Sequence, residues 1–220
     1  MRRSTMCFRF SVLVLVGALA CRETGRVDAA TLDQSATGPR LRVTILGART
    51  DPRIVPVREA LAHWNDEFHR LGQHVRLDSG IVRNKSVPDS LLGAAVGEVM
   101  FGTGPATMRV RSSLANVPGD IIVVLSDTDL ISFGMPWSSR QKGVVAIRRS
   151  DILPLSLPNT VRNVVAHELG HALGLQHNAD STMLMCGRPA SCRPAAFASD
   201  SAHFFPLTAG DEQWLRQRWP

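Results

Sequence analysis

The run His167-Glu168-Leu169-Gly170-His171-Ala172-Leu173-Gly174-Leu175-Gln176-His177 constrains this chain more than any other stretch. On an α-helix, residues four apart lie nearly one above the other, so His167 and His171 aim their imidazoles at a common point. Glu168 falls about 100° around the helix from His167, beside that point rather than on it. A third imidazole can reach the point only if the helix stops. Gly174 can take the left-handed conformation that ends a helix, and His177 can then return toward the other two. The pattern predicts a helix ending near Gly174, a metal ion held by His167, His171 and His177, and Glu168 placed as a base and not as a ligand. The alternative is a surface helix that happens to carry three histidines; five fixed residues at fixed offsets argue against it.

The chain opens with Met1-Arg2-Arg3, a further Arg9 and the apolar run Phe10 to Leu19, too short for a stable membrane span and suited to the core of a signal peptide over residues 1–20. Export is expected. Gly17-Ala18-Leu19-Ala20-Cys21 resembles a bacterial lipobox, in which Cys21 is lipidated and the protein becomes a membrane-anchored lipoprotein, periplasmic or at the cell surface. Cleavage after Ala18-Leu19-Ala20, leaving Cys21 unmodified and the protein secreted, is the other reading. Residues 21–40 lack hydrophobic periodicity and read as a flexible tether. Residues 41–220, about 180 in number, suffice for one domain with its own core. Loss of the leader removes Arg2, Arg3 and Arg9, and the formal charge falls from +6 to +3. The remaining basic residues are scattered, with no stripe interleaved with aromatics, so no nucleic-acid partner is expected.

Leu41 to Leu46 alternates apolar and polar and predicts a strand. Apolar residues at 57, 61, 64, 68 and 71 mark one face of a helix. His74 to Leu77 is a candidate second strand, and Ile121 to Leu125 and Val144 to Ile147 read as buried strands. Ser86 to Gly119 resists assignment, and its Gly102-Thr103-Gly104 reads as a turn. The histidine helix is expected to begin after Pro158, capped by Asn159 or Thr160, with Val161, Val165, Leu169 and Ala172 packed on the sheet.

Ser181-Thr182-Met183-Leu184-Met185-Cys186 follows closely on His177. A long histidine motif with a methionine soon after it resembles the metzincin zinc metalloproteases. Met185 stands where matrixin-like members of that family place a turn methionine, beneath the zinc and not bound to it. Met183 is the other candidate, and two methionines filling an apolar turn would differ little physically. The chain has no tyrosine, so the tyrosine that follows the turn in astacin- and serralysin-like members has no counterpart. That points to the matrixin-like branch. Leu207 to Asp211, leading into Glu212 to Trp219, resembles the short terminal helix of matrixins, entered from a Thr or Asp cap. The resemblance covers residues 41–220 in layout, and 159–186 carry its specific motifs.

The resemblance implies an α+β zincin-like domain: a twisted, mostly parallel sheet, an active-site helix, and a small irregular C-terminal subdomain ending in a helix. It implies a monomeric zinc endopeptidase acting on protein or peptide substrates, through a zinc-bound water from which Glu168 takes a proton. A zinc-bearing binding protein or pseudo-protease without turnover is the alternative, as is a metallohydrolase of other substrates. Peptides in that family lie along the edge strand of the sheet, and Val144 to Ile147 is the segment expected to supply it. Matrixin zymogens block the zinc with a propeptide cysteine, whereas here only Cys21 precedes Cys186 after the signal core, so no such latency is expected. Cys186 and Cys192 remain as an even pair and read as a small disulfide loop, since no nearby residue completes a metal site with them. Asp127 and Asp129 are the candidates for a calcium site, a turn being the alternative. His63, His69, His74 and His203 read as surface or helix residues.

Overall fold

A computed structural model describes residues 38–101, 104–187 and 202–219. The leader, Cys21, the tether as far as residue 37, and Cys192 lie outside the described residues. In chain order the elements are β1 (Arg40–Leu41), β2 (Val43–Leu46), α1 (Ile54–Arg70), β3 (Arg76–Leu77), β4 (Ile81–Arg83), α2 (Asp89–Phe101), α3 (Pro105–Ser113), β5 (Ile121–Leu125), β6 (Phe133–Met135), β7 (Gly143–Ile147), α4 (Pro158–Leu173) and α5 (Ala209–Arg218). Among the described residues, no helix is long and apolar enough to cross a membrane.

The main sheet runs β4-β2-β5-β7-β6, with every pair parallel except β6 against β7. It is a mixed α+β fold built on a twisted, mostly parallel sheet. Both faces are covered. Ile121 and Val123 of β5 point into a core with Val57, Leu61, Trp64 and Leu169 of α1 and α4, while Ile122 and Val124 point into a second core with Leu92 of α2 and Val110 of α3. A strand buried on both sides needs apolar side chains at every position, which is why Ile121 to Leu125 is an unbroken apolar run. Trp64 ties α1 to α4 by donating its indole N–H to the carbonyl of Ala166 at 3.0 Å.

Four expectations need correction. Val144 to Ile147 is not an edge: β7 lies between β5 and β6, and the edge is the short antiparallel strand β6. Three residues with a central glycine carry too little pattern to be read as a strand. His74 to Leu77 contributes only β3, which pairs with β1 in a separate two-stranded sheet, while β4 extends the main sheet. The unassigned stretch holds α2 and α3, which cover the second face of the sheet. Finally, α4 starts from Leu157 without a side-chain cap and with Pro158 at its first position, while Asn159 and Thr160 are buried within its first turn.

Candidate metal centre

Helix α4 is buried on nearly all sides, including His167 and Glu168, because the sheet, α1 and the chain returning after His177 enclose it. It ends as the glycine predicts. Gly174 has φ 104°, its N–H donates to His171 O at 3.0 Å, and the N–H of Leu175 donates to Gly170 O at 2.9 Å. That paired pattern satisfies the last carbonyls and turns the chain back. Trp214 of α5 packs against the turn, and a Cβ on Gly174 would collide with its ring.

His167, His171 and His177 converge. Their Nε2 atoms lie 3.1 Å (His167 to His171), 3.2 Å (His167 to His177) and 2.9 Å (His171 to His177) apart. The Nδ1 of His167 stands 2.8 Å from the carbonyl of Leu184, and that of His171 stands 2.8 Å from the carbonyl of Leu175. A carbonyl can only accept, so each Nδ1 carries the proton and each of these two Nε2 atoms presents a lone pair. Burial pushes His171 down to about 4 and lowers His177 as well, which keeps both neutral, the form that binds metal. Two lone pairs at 3.1 Å repel, and a proton on His177 could serve only one of them. A cation resolves the arrangement. Tetrahedral zinc with Zn–N bonds of about 2.0–2.1 Å would set the ring nitrogens about 3.3 Å apart, close to the observed triangle. The residues present therefore fit zinc, and among the described residues no second group of three such donors meets at a point.

Glu168 is 5% exposed, and burial raises its carboxyl to about 8. Met185 is fully buried and lies against Gly170, where a Cβ would come within 2.5 Å of its Sδ; Met183 is only partly buried. The segment bearing Met185 is held from both sides, by Asn178 N–H donating to Met185 O at 2.8 Å and by Leu184 N–H donating to Pro206 O at 2.7 Å. Residues 203–205 are in turn bound to α4. Asn163 accepts from Phe205 N–H at 3.0 Å and donates to His203 O at 2.6 Å, and Asn159 accepts from His203 N–H at 3.1 Å. In place of the cap expected at Asn159 or Thr160, Asn159 and Asn163 tether the returning chain. Asparagines recurring four apart on a helix otherwise rich in valine were the available signal.

The remaining candidates lie elsewhere. Asp127 is 3.6 Å from the guanidinium of Arg53, and Asp129 pairs with Arg148, so arginines face both carboxylates. His63 stacks on Phe204 with ring centroids 4.3 Å apart, and His69 and His74 are exposed. A cleft of about 800 Å³ opens past His171 and His177, and part of its wall comes from α2 and α3, within the stretch whose sequence carries no legible pattern.

Residues 132–199 match the family model described as Matrixin. The sequence likeness is to the matrixins. The matrixin match runs from β6 through α4 and past Met185, over less than half of the chain. No curated protein matches it in sequence. Among solved structures, an archaemetzincin from Methanopyrus kandleri is similar with a TM-score of 0.50 at 14% identity, over 85% of this chain and 98% of that one. A metalloproteinase-II from Bacteroides fragilis is similar with a TM-score of 0.51 at 11% identity, over 83% of this chain and 54% of that one. At such identities the structural likeness is one of fold, and the fold is zincin-like. The matrixin match, this fold and the histidine trio support a zinc-dependent peptidase.

Proposed function

We propose that the chain is a zinc endopeptidase of matrixin-like type, and the observation that carries this is the convergence of three imidazoles beside a buried glutamate that shares a helix with two of them. When bound, zinc supplies a Lewis acid that polarises a peptide carbonyl and acidifies water. His167, His171 and His177 hold it, with the first two oriented by the carbonyls of Leu184 and Leu175. Glu168, whose carboxylate is made more basic by burial, takes a proton from the attacking water and passes it to the leaving amine as the C–N bond breaks. Met185 supports the histidines through Gly170 without binding metal. The outer edge of β6 offers backbone groups to an extended peptide.

The test is zinc content together with cleavage of casein and a peptide library, with and without a chelator. One zinc per chain with chelator-sensitive cleavage is expected. Zinc without cleavage of any peptide would favour a binding role, and absence of zinc would overturn the metal centre.

The same reading places the chain outside the cytoplasm as a monomer, tethered through lipidated Cys21 and with Cys186 paired to Cys192. Cys186 is buried and disulfide-bonded, which supports export. Incorporation of labelled palmitate that Cys21→Ser abolishes would establish the tether.

A further inference from the structure

Strand β6 shows how a peptide laid along it is faced. Gly134 abuts α4 so closely that a Cβ would collide with Glu168 O and His171 Cβ, whereas Phe133 and Met135 point into the core beneath α2 and α3. Side chains of an added strand alternate in the same way, so every second one turns to the α2–α3 side. There the wall of the cleft includes Glu98 and Val99 of α2, and Met108 and Arg111 of α3. Its charged members are already engaged. Both oxygens of Glu98 accept from the first turn of α3, from Ala106 N–H at 2.7 Å and Thr107 N–H at 2.8 Å. Arg111 donates to the carbonyls of Lys142 and Pro136, which anchors α3 to the rim of the edge strand. Val99 and Met108 remain, 38% and 69% exposed, as apolar surface continuous with the cleft that holds His171 and His177.

We propose that Val99 and Met108 form a specificity-determining subsite for a large apolar side chain of an extended peptide substrate. This rests on the peptidase reading given above. A thioether adapts to side chains of different shape, so the subsite selects apolar bulk over one particular residue. A polar side chain set against Val99 and Met108 gives up water and meets no donor or acceptor from those two side chains.

The experiment uses the zinc-loaded full chain and octapeptides of alanine in which one Leu, Lys, Asp or Gly is stepped through each position. Dissociation constants are read by fluorescence anisotropy on Glu168→Gln, with and without Met108→Glu, and kcat/KM is read with Glu168 intact. One position is expected at which Met108→Glu weakens binding and lowers kcat/KM of the Leu peptide about tenfold while improving the Lys peptide, with the Gly peptide changed about twofold at most. Met108 is exposed, so folding is not at stake, and zinc content verifies it. Identical profiles with and without Met108→Glu would overturn the subsite and leave the peptidase reading intact. The binding shift without any cleavage would uphold the subsite and remove turnover. Neither binding nor cleavage by the unsubstituted chain would remove both.

Discussion

Between His167 and His171, the missing Cβ of Gly170 lets the Met185 thioether lie against the helix, with Trp64 3.2 Å from where that Cβ would stand. Gly170→Ala should therefore overpack the floor of the site and cost about 1–3 kcal/mol, despite alanine's better helix propensity. Thermal unfolding and zinc titration would check this; an unchanged melting temperature would mean that Met185 is not held there. Glu168 carries a second prediction. In the metal-free chain its folded-state pKa of about 8 lies above its usual 4.5 because burial disfavours the charged form. The associated stability is complete below the unfolded value and is lost as pH rises through the folded one. Glu168→Gln removes that loss, so in chelator the variant should melt higher than the parent, and the gap should widen from pH 5 to pH 8. With zinc restored it should keep the metal and lose about 10²–10⁴ in turnover. A gap that does not change with pH would show that the carboxyl is not desolvated.

At the scale of elements, α4 is the hub. One end is sealed by the turn at Gly174 against Trp214 of α5, and the first turns carry Asn159 and Asn163, which bind residues 203–205. Terminal helix α5 is itself fixed by a reciprocal cap between Thr208 and Asp211. Asn163→Ala leaves the Phe205 N–H and the His203 carbonyl without this partner and should cost about 1–3 kcal/mol. Because Pro206 also supports Leu184, whose carbonyl orients His167, zinc affinity should fall with stability. A variant that loses stability but binds zinc as before would show that the returning segment does not position the histidine. The cap at Thr208 was legible because its residue pattern is local. The role of Asn163 was not, since its partners lie 40 and 42 residues away.

Across the whole molecule, two cores share one sheet, and the metal centre sits where α4, the edge strand β6 and the segment after His177 meet. A metal that binds only this folded arrangement stabilises all of it, by about 2.7 kcal/mol at a free concentration one hundred times the dissociation constant. Chelation should lower the melting temperature, zinc should restore it, and His171→Ala should abolish the zinc-dependent increment. An equal increment in that variant would place the metal elsewhere.

The histidine helix, its stop at Gly174, the convergence of three imidazoles and the candidate base were all readable from eleven consecutive residues, because helix geometry fixes neighbours three and four apart without help from the rest of the chain. The buried strands at 121–125 and 144–147 were readable for a related reason, burial on both faces leaving an unbroken apolar run. Strand order, the identity of the edge and the partners of Asn163 depend on segments brought together from distant parts of the chain, and no local period encodes such pairings. The same holds for α2 and α3. Helix α2 is apolar and small-residued around its circumference, so no stripe marked its buried side, and only packing against the sheet decided that these two helices wall the cleft.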